Sequence, residues 1–145
     1  MLLDALNWKI LQCLQENARQ TNTDIGRKVG ISSPAVSERI RKMEDMGVIT
    51  AYTTKISPFE LGYQLKAIIT IRAFMGKLKP FLQIVNTYDE VLNCYRITGN
   101  ENIVMEVVLK NQKHLESFID QLISYGETKT QIVLSHVVEN KVLKK

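Results

Sequence analysis

The chain has 145 residues, a net charge of +4, 45% hydrophobic residues and 23% charged residues, which is typical of a globular protein of one or two domains. We expect neither a signal peptide nor a membrane span, because no uninterrupted apolar run approaches the length of a transmembrane helix. Cys13 and Cys94 lie far apart and form no cluster with histidine, so we expect free thiols, a cytoplasmic protein and no metal site.

A first helix is predicted from about Asp4 to Asn17, where apolar residues recur at helical spacing. Asp4 is a suitable N-cap, because its carboxylate can accept one of the free backbone amides of the first turn. The apolar residues that define this helix are Leu3, Leu6, Ile10, Cys13 and Leu14. We expect the helix to cover the back of the two helices that follow.

Residues 21–49 are predicted to form two short helices joined by a tight turn. At the start of the first of them, Thr21 can accept the backbone amide of Asp24 in the manner of a capping box. Gly30 stands where this helix needs a residue that tolerates a positive φ angle in order to end.

The second of these helices is predicted to begin at Ser32 and Ser33, ahead of Pro34. A serine hydroxyl can cap the free amides, and proline tolerates the first turn because its missing N–H would be unpaired there. Three apolar residues at i, i+4 and i+7 form the inward face: Val36, Ile40 and Met43. Gly47 is expected to stop the helix.

The outer face of this second helix is polar, begins with small residues and carries clustered positive charges. Small residues let a backbone approach base edges, and clustered cations are typical of phosphate contacts. The pattern predicts a helix-turn-helix that binds double-stranded DNA, although a plain helical hairpin with a solvated face follows the same local rules. The residues expected to contact DNA are Arg27, Lys28, Ser32, Ser33, Pro34, Ala35, Ser37, Glu38, Arg39, Arg41 and Lys42.

Residues 48–56, with the sequence VITAYTTKI, alternate enough to predict an extended strand. Three helices followed by such a strand are typical of a winged DNA-binding domain. The same residues would serve equally as a plain linker to the second half of the chain. We therefore assign residues 1–50 to a helix-turn-helix DNA-binding domain and residues 51–63 to an extended linker or wing strand.

Beyond Gly62 the apolar period changes from helical to twofold. The pattern predicts strands at residues 65–73, 91–98, 103–109 and 129–138, and helices at residues 78–88 and 112–125. The order strand-helix-strand-strand-helix-strand is that of the ferredoxin-like fold. The predicted fold class is α+β, with a ferredoxin-like βαββαβ sandwich at residues 64–145 for ligand sensing and oligomerisation.

The third and fourth predicted strands carry apolar residues on both faces, for example at Val104, Val108 and Val137. Helices cover only one face of a ferredoxin-like sheet. The second apolar face either meets the same sheet of another subunit or remains a modestly apolar surface. The first alternative predicts a homodimer.

Several stretches of the chain match the pattern of one known family. They are LDALNWKILQCLQENAR, VGISSPAVSERIRKMEDMGVI with Tyr52, Phe59 to Gly62, and CYRITGNENIVMEVVLK with the helix that ends at Gly126. On these stretches the chain resembles the Lrp/AsnC family of feast/famine transcription regulators over nearly its whole length. The resemblance implies a homodimer, assembly into rings of dimers such as an octamer, and a response to an amino acid.

In that family the effector pocket forms around a turn that reads glycine, two residues, then aspartate. The matching residues here are the candidate effector site: Gly99, Asn100, Glu101 and Asn102. Asn102 accepts only as a neutral amide, so the resemblance implies weak amino-acid binding, a ligand that is not a zwitterion, or a turn that Asn102 merely closes. The family also usually has alanine where this chain has Gly26, at a cost of up to about 1 kcal/mol in helix propensity.

The sequence has no pattern for catalysis. The sequence lacks a local pair of carboxylates, a Cys/His dyad and a glycine-rich phosphate loop. His114 and His136 belong to no motif with other candidate catalytic residues. We therefore expect no enzyme activity, no catalytic residue and no cofactor. The expected function is sequence-specific regulation of transcription, modulated by a small amino-acid-like effector. The alternative is a sensing or assembly module that does not bind DNA.

Overall fold

The computed structural model describes residues 3–145, which form two compact units. The first unit contains residues 3–55 together with residues 138–145, and the second contains residues 56–137. The chain therefore passes between the units twice. Residues 138–145, which the sequence pattern places in the second domain, group with the first unit in the structure.

The first unit is built from three helices, α1 (Ala5–Glu16), α2 (Asn22–Val29) and α3 (Ser33–Asp45). Each begins at a residue whose side chain accepts a backbone amide of the first turn, and these N-caps are Asp4, Thr21 and Ser32. Gly30 ends α2 with a φ angle of 81°, a left-handed conformation that glycine adopts without a steric penalty. The local capping signals in the sequence therefore locate these helices correctly.

One apolar core holds the three helices together and turns the polar face of α3 outward. Its buried members come from all three helices: Ile10, Cys13, Ile25, Val36 and Met43. The chain also approaches itself closely at Gly26, where an added Cβ would lie 2.5 Å from the carbonyl oxygen of Ile31. The missing side chain at Gly26 therefore permits this tight turn, which offsets its cost in helix propensity.

The predicted strand at residues 48–56 does not form in the described chain. A strand needs a hydrogen-bonded partner, and side chains hold this segment instead. The Tyr52 hydroxyl donates to Glu44 Oε1 at 2.7 Å, and Lys55 Nζ lies 2.7 Å from Glu139 Oε2. The segment is thus a linker and not a wing strand.

The C-terminal residues are attached to α1 by one side chain. The Gln15 amide donates to the carbonyl oxygen of Leu143 at 3.1 Å and accepts from the Leu143 amide at 2.9 Å. The Gln15 side chain thus satisfies both the N–H and the C=O of Leu143, as a neighbouring strand would do.

The second unit has the predicted βαββαβ order. Its elements are β1 (Leu65–Ala73), α4 (Leu78–Ile84), β2 (Val91–Arg96), β3 (Ile103–Leu109), α5 (Gln112–Leu122) and β4 (Gly126–Ile132). The antiparallel sheet has the order β2-β3-β1-β4. The predicted ferredoxin-like fold is confirmed.

Both helices of this unit cover the same face of the sheet. Phe81 from α4 and Phe118 and Leu122 from α5 pack on alternate residues of β1 and β3 to form the core. The opposite face carries Val104, which is half-buried, and Val108, which is 3% exposed. Of these two residues only Val104 is accessible to a partner, because Val108 is already covered within the protomer.

The predicted boundaries of β4 were wrong. The strand begins at Gly126, which pairs with Ala73, and not at Lys129. A Cβ at Gly126 would lie 2.8 Å from the Cα of Ala73, so glycine lets the two strands close here. The strand ends at Ile132, and Leu134 and Val137, which are 95% and 89% exposed, lie beyond it and form no strand face.

Smaller shifts occur at three other element ends. The helix predicted at residues 78–88 is α4 followed by a 3-10 turn at Val85–Thr87. The strand predicted to reach residue 98 ends at Arg96, and the helix predicted to reach residue 125 ends at Leu122.

Candidate functional site

The exposed face of α3 carries two of the predicted phosphate contacts, Arg41 and Lys42. Lys42 Nζ lies 2.8 Å from Glu38 Oε1, one helical turn earlier. Arg41 has no ion-pair partner among residues 3–145. Exposed pairs such as Lys42 with Glu38 contribute little to stability, so a phosphate can replace the partner at little cost.

Two more predicted cations, Arg27 and Lys28, are exposed in the last turn of α2. Arg27 Nη1 lies 3.4 Å from Asp24 Oδ1, and the Lys28 ammonium donates to Gln20 Oε1 at 2.6 Å. Both partners are on the surface, so both cations remain accessible to an anion.

Arg39 occupies a different position from the other predicted contacts. Its Nη1 donates to Asp4 Oδ2 at 2.7 Å and to Asn7 Oδ1 at 2.9 Å, and its side chain is 33% exposed. Asp4 is also the N-cap of α1, accepting the Asn7 amide at 2.7 Å. The Asn7 amide and the Arg39 guanidinium together hold the pKa of Asp4 below its usual value. Arg39 therefore joins α3 to the start of α1.

The first turns of α3 hold the small residues predicted to lie against DNA. The Ser32 hydroxyl is the helix cap and accepts the Ala35 amide at 3.4 Å. Pro34 and Ser37 are exposed, while Ser33 and Ala35 are half-buried. This end of α3 thus presents little side-chain bulk, and a surface could approach its backbone closely.

Glu38 is exposed in the middle of the same face. The hydrogen bond and charge of Lys42 hold the pKa of the Glu38 carboxyl below its usual value, so Glu38 is ionised at neutral pH. An ionised carboxylate only accepts hydrogen bonds. The group therefore suits a partner that presents N–H donors.

One contact near this face was not expected from the sequence. Burial, together with the hydrogen bond to Glu44, raises the pKa of Tyr52 to about 12. Its hydroxyl thus remains a donor to Glu44 and fixes the linker against the C-terminal end of α3. Only the position of Tyr52 after α3 could have suggested this role.

The predicted effector turn is closed largely by Asn102. Its amide donates to the Ile71 carbonyl at 2.9 Å, and its carbonyl accepts from the Ile97 amide at 2.9 Å. Its side-chain oxygen accepts the Ala73 amide at 2.8 Å. Asn102 therefore closes the turn through both its backbone and its side chain.

The remaining residues of the turn lie at the surface. Gly99 has a φ angle of 111°, which glycine adopts readily, and Asn100 beside it is exposed. Glu101 Oε1 lies 3.5 Å from Lys129 Nζ on β4. The one carboxylate of the turn therefore already has a cationic partner.

The described residues show no group of three or more His, Cys, Asp or Glu side chains that could hold a metal ion, and none of their helices could span a membrane. Cys13 and Cys94 are free thiols. His114 is held in place, with Nδ1 accepting the Lys110 amide at 3.1 Å and Nε2 lying 2.8 Å from Glu90 Oε1. These contacts give His114 a structural role at the start of α5.

Both parts of the chain match families of known proteins. A family profile described as winged helix-turn-helix DNA-binding matches residues 3–50, and one described as Lrp/AsnC ligand binding domain matches residues 66–143. The HTH-type transcriptional regulator YezC of Bacillus subtilis is 36% identical over 133 residues, which are 92% of this chain and 94% of YezC.

Solved structures agree with these matches. Bacillus subtilis LrpC aligns with a TM-score of 0.90 at 27% identity, covering 95% of this chain and 99% of LrpC. A Neisseria meningitidis transcriptional regulator, solved as a complex with L-methionine, aligns with a TM-score of 0.91 at 28% identity, covering 98% of this chain and 96% of that one.

Proposed function

Because this chain belongs to the Lrp/AsnC family of DNA-binding transcriptional regulators, we propose that α3 reads DNA in the major groove while the second unit binds a small effector and joins two protomers. Family membership favours this reading over a sensing module that does not bind DNA. The observation that carries the proposal is the outward polar face of α3, with exposed cations on it and on α2. Regulators of this class are not enzymes, and we expect the protein to act in the cytoplasm.

Affinity for DNA comes mainly from cations that meet phosphates. Arg41 and Lys42 on α3, with Arg27 and Lys28 on α2, are exposed and have at most weak surface partners. Arg39 is left out of this set, because its guanidinium is engaged by Asp4 and Asn7. We assign Arg39 a positioning role, since it fixes α3 against α1.

Sequence preference comes from the first turns of α3. Little side-chain bulk at Ser33, Pro34, Ala35 and Ser37 lets the helix enter the groove. Glu38 then accepts a hydrogen bond from the amino group of cytosine, which suits its ionised carboxylate. When Lys42 binds a phosphate, Glu38 loses its ion pair with Lys42 and accepts from the cytosine instead.

The open face of the sheet supports a homodimer, and rings of dimers such as an octamer follow from family membership. Val104 and Tyr95 lie opposite each other in the register of β2 and β3, on the side that α4 and α5 leave uncovered. Packing against the same face of a second protomer would remove this apolar area from water. A dimer carries two copies of α3, so the operator should be palindromic with half-sites about 10 bp apart or a multiple of that.

The effector proposal rests on the ligand-binding profile at residues 66–143 and on a neighbour solved with L-methionine. We propose an amino-acid-like effector at the turn of residues 99–102. Weak binding is expected, because Asn102 Oδ1 already accepts from Ala73 and Glu101 is paired with Lys129. Calorimetry against the twenty amino acids tests this, and tight binding that survives Glu101→Ala and Asn102→Ala would move the site elsewhere.

A footprint on genomic DNA, with and without amino acids, tests the DNA-binding proposal most directly. The expected result is protection of two half-sites on one face of the duplex. Arg41→Ala should weaken binding, whereas Lys113→Ala, which also removes an exposed positive charge but from α5, should not. Binding to every sequence with equal affinity would contradict the proposed role of α3.

The dimer is tested separately by sedimentation of Val104→Asp. A charge on the uncovered face should produce monomers and lower DNA affinity, because the second half-site is lost. Ser117→Asp serves as the control, because it adds the same single negative charge at an exposed residue of α5. A wild-type protein that is monomeric at micromolar concentration would overturn the dimer and leave the role of α3 intact.

A further inference from the structure

A cleft in the second unit has no part in the proposals above. It has a volume of about 430 Å³, lies between α4 and β2, and is lined by Gly76, Leu78, Lys79, Leu82 and Arg96. An adjoining cleft of about 310 Å³ shares Leu82 and Arg96 and extends along the same two elements. The volume lies within the about 300–1,000 Å³ of small-molecule sites, but the cleft is open to solvent on one side, so it would cover a compact ligand only in part. The turn of residues 99–102 lines neither cleft.

The position of Arg96 in the sheet explains why a cation lies in this cleft. Arg96 pairs with Ile103 across β2 and β3, and Ile103 is fully buried beneath the helices. Directly opposed residues lie on the same face of an antiparallel pair, so Arg96 also faces the helix side. Because β2 is at the edge of the sheet, the guanidinium reaches the cleft and not the core.

The charges of the cleft are unbalanced. Neither Lys79 nor Arg96 has an ion-pair partner among residues 3–145, whereas Arg72 and Lys129 of the same unit each lie close to a glutamate. The side chains that line the two clefts include no aspartate and no glutamate. Two cations without a counter-ion at one concave site attract an anion.

The rest of the lining is apolar. Leu78 and Leu82 project from successive turns of α4 and are half-buried, and the adjoining cleft adds further apolar side chains from β2. A ligand would therefore place a charged end at Lys79 and Arg96 and an apolar end along α4. A planar carboxylate matches the fork of an arginine guanidinium in two parallel hydrogen bonds.

We propose that this cleft is a second ligand site, which takes a monocarboxylate with a short apolar tail and no ammonium group. The carboxylate lies between Lys79 and Arg96, and the tail lies on Leu78 and Leu82. An ammonium group is disfavoured, because the cleft offers two positive charges and no carboxylate to accept from it. The site thereby selects the ammonium-free analogue of an apolar amino acid.

The test compares two probes with the same carbon skeleton, 4-methyl-2-oxopentanoate and L-leucine, on the full-length protein. Methyl and backbone-amide NMR titrations report the site, and the oxo acid should shift the signals of Leu78 and Leu82. L-Leucine and the uncharged 4-methyl-2-oxopentanamide should bind there at least about tenfold more weakly, the factor expected for one charge-assisted hydrogen bond. Equal binding of the amide, or shifts confined to Gly99 and Asn102, would overturn the proposal.

Variants then test the two cations. Arg96→Gln and Lys79→Gln should each weaken the oxo acid by about tenfold or more, while the control Lys113→Gln should leave its affinity unchanged. DNA binding without ligand should be the same in all three, which checks that they are folded. An oxo acid that binds Arg96→Gln as tightly as the wild-type protein would exclude the site.

Discussion

Arg39 and Arg41 are two residues apart on α3, yet the structure predicts opposite effects of replacing them by alanine. Arg41 is exposed and has no ion-pair partner in the described chain, so it is available to a phosphate. Arg39 is held by Asp4 at 2.7 Å and by Asn7 at 2.9 Å. Arg41→Ala should therefore remove a DNA contact, and Arg39→Ala should instead loosen the attachment of α3 to α1.

The size of the effect follows from the number of exposed cations. The proposal counts four phosphate contacts per protomer, from the exposed cations Arg27, Lys28, Arg41 and Lys42. With about 0.9 counter-ions released per contact, a dimer should show a slope of log K against log salt of about −7. Arg41→Ala removes one contact from each protomer and should reduce the slope to about −5, whereas Arg39→Ala should leave it near −7.

Fluorescence anisotropy on a labelled operator at several salt concentrations measures these slopes, and thermal melts of the free protein report stability. Arg39→Ala should lower the melting temperature and the affinity at every salt concentration in parallel. Arg41→Ala should melt like the wild-type protein. If Arg39→Ala lowered the slope as much as Arg41→Ala, the guanidinium would be a phosphate contact and the positioning role would be refuted.

Further changes test the fold, the specificity and the pH response. Gly126→Ala should lower the free energy of unfolding by about 1–3 kcal/mol, since its methyl would lie 2.8 Å from the Cα of Ala73, and an unchanged denaturation midpoint would contradict this. Glu38→Ala should change the preference at one base position by about 1–3 kcal/mol in competition assays with single-base variants, more than it changes non-specific binding. The pKa of Asp4 is lowered in the folded protein, so its contribution to stability is present at neutral pH and is lost as the pH falls through that pKa. Asp4→Asn keeps the helix cap, and its melting temperature should therefore fall less steeply in acid than that of the wild-type protein.

Sequence patterns predicted the features that depend on neighbouring residues. Asp4, Thr21 and Ser32 cap their helices as expected, because a cap joins residues only three apart. The twofold period likewise predicted the buried positions of β1 and β3. The alternation of apolar residues along a strand and the apolar face of a helix are both set by nearby residues. These two patterns were sufficient to predict the ferredoxin-like order of strands and helices.

The features that the sequence missed depend on distant residues. Arg39 lies at the edge of a polar helix face, and nothing nearby indicates that Asp4, 35 residues earlier, engages it. The start of β4 was misplaced for the same kind of reason: Gly126 looks like a helix stop until its close approach to Ala73 is known. The predicted phosphate contact at Arg39 is therefore replaced in our proposal by a positioning role, while the other predicted cations on α2 and α3 are exposed.

The two proposed ligand sites differ in the charges that surround them. The turn of residues 99–102 has a carboxylate in Glu101, so it can accept from an ammonium group once Lys129 is displaced. The cleft at Arg96 offers only positive charge to a ligand. An amino acid carries a positive and a negative charge, whereas its oxo analogue carries only the negative one. Electrostatics therefore favours the amino acid at the turn and the oxo acid in the cleft. One unit could thus respond separately to the two compounds, although they share a carbon skeleton.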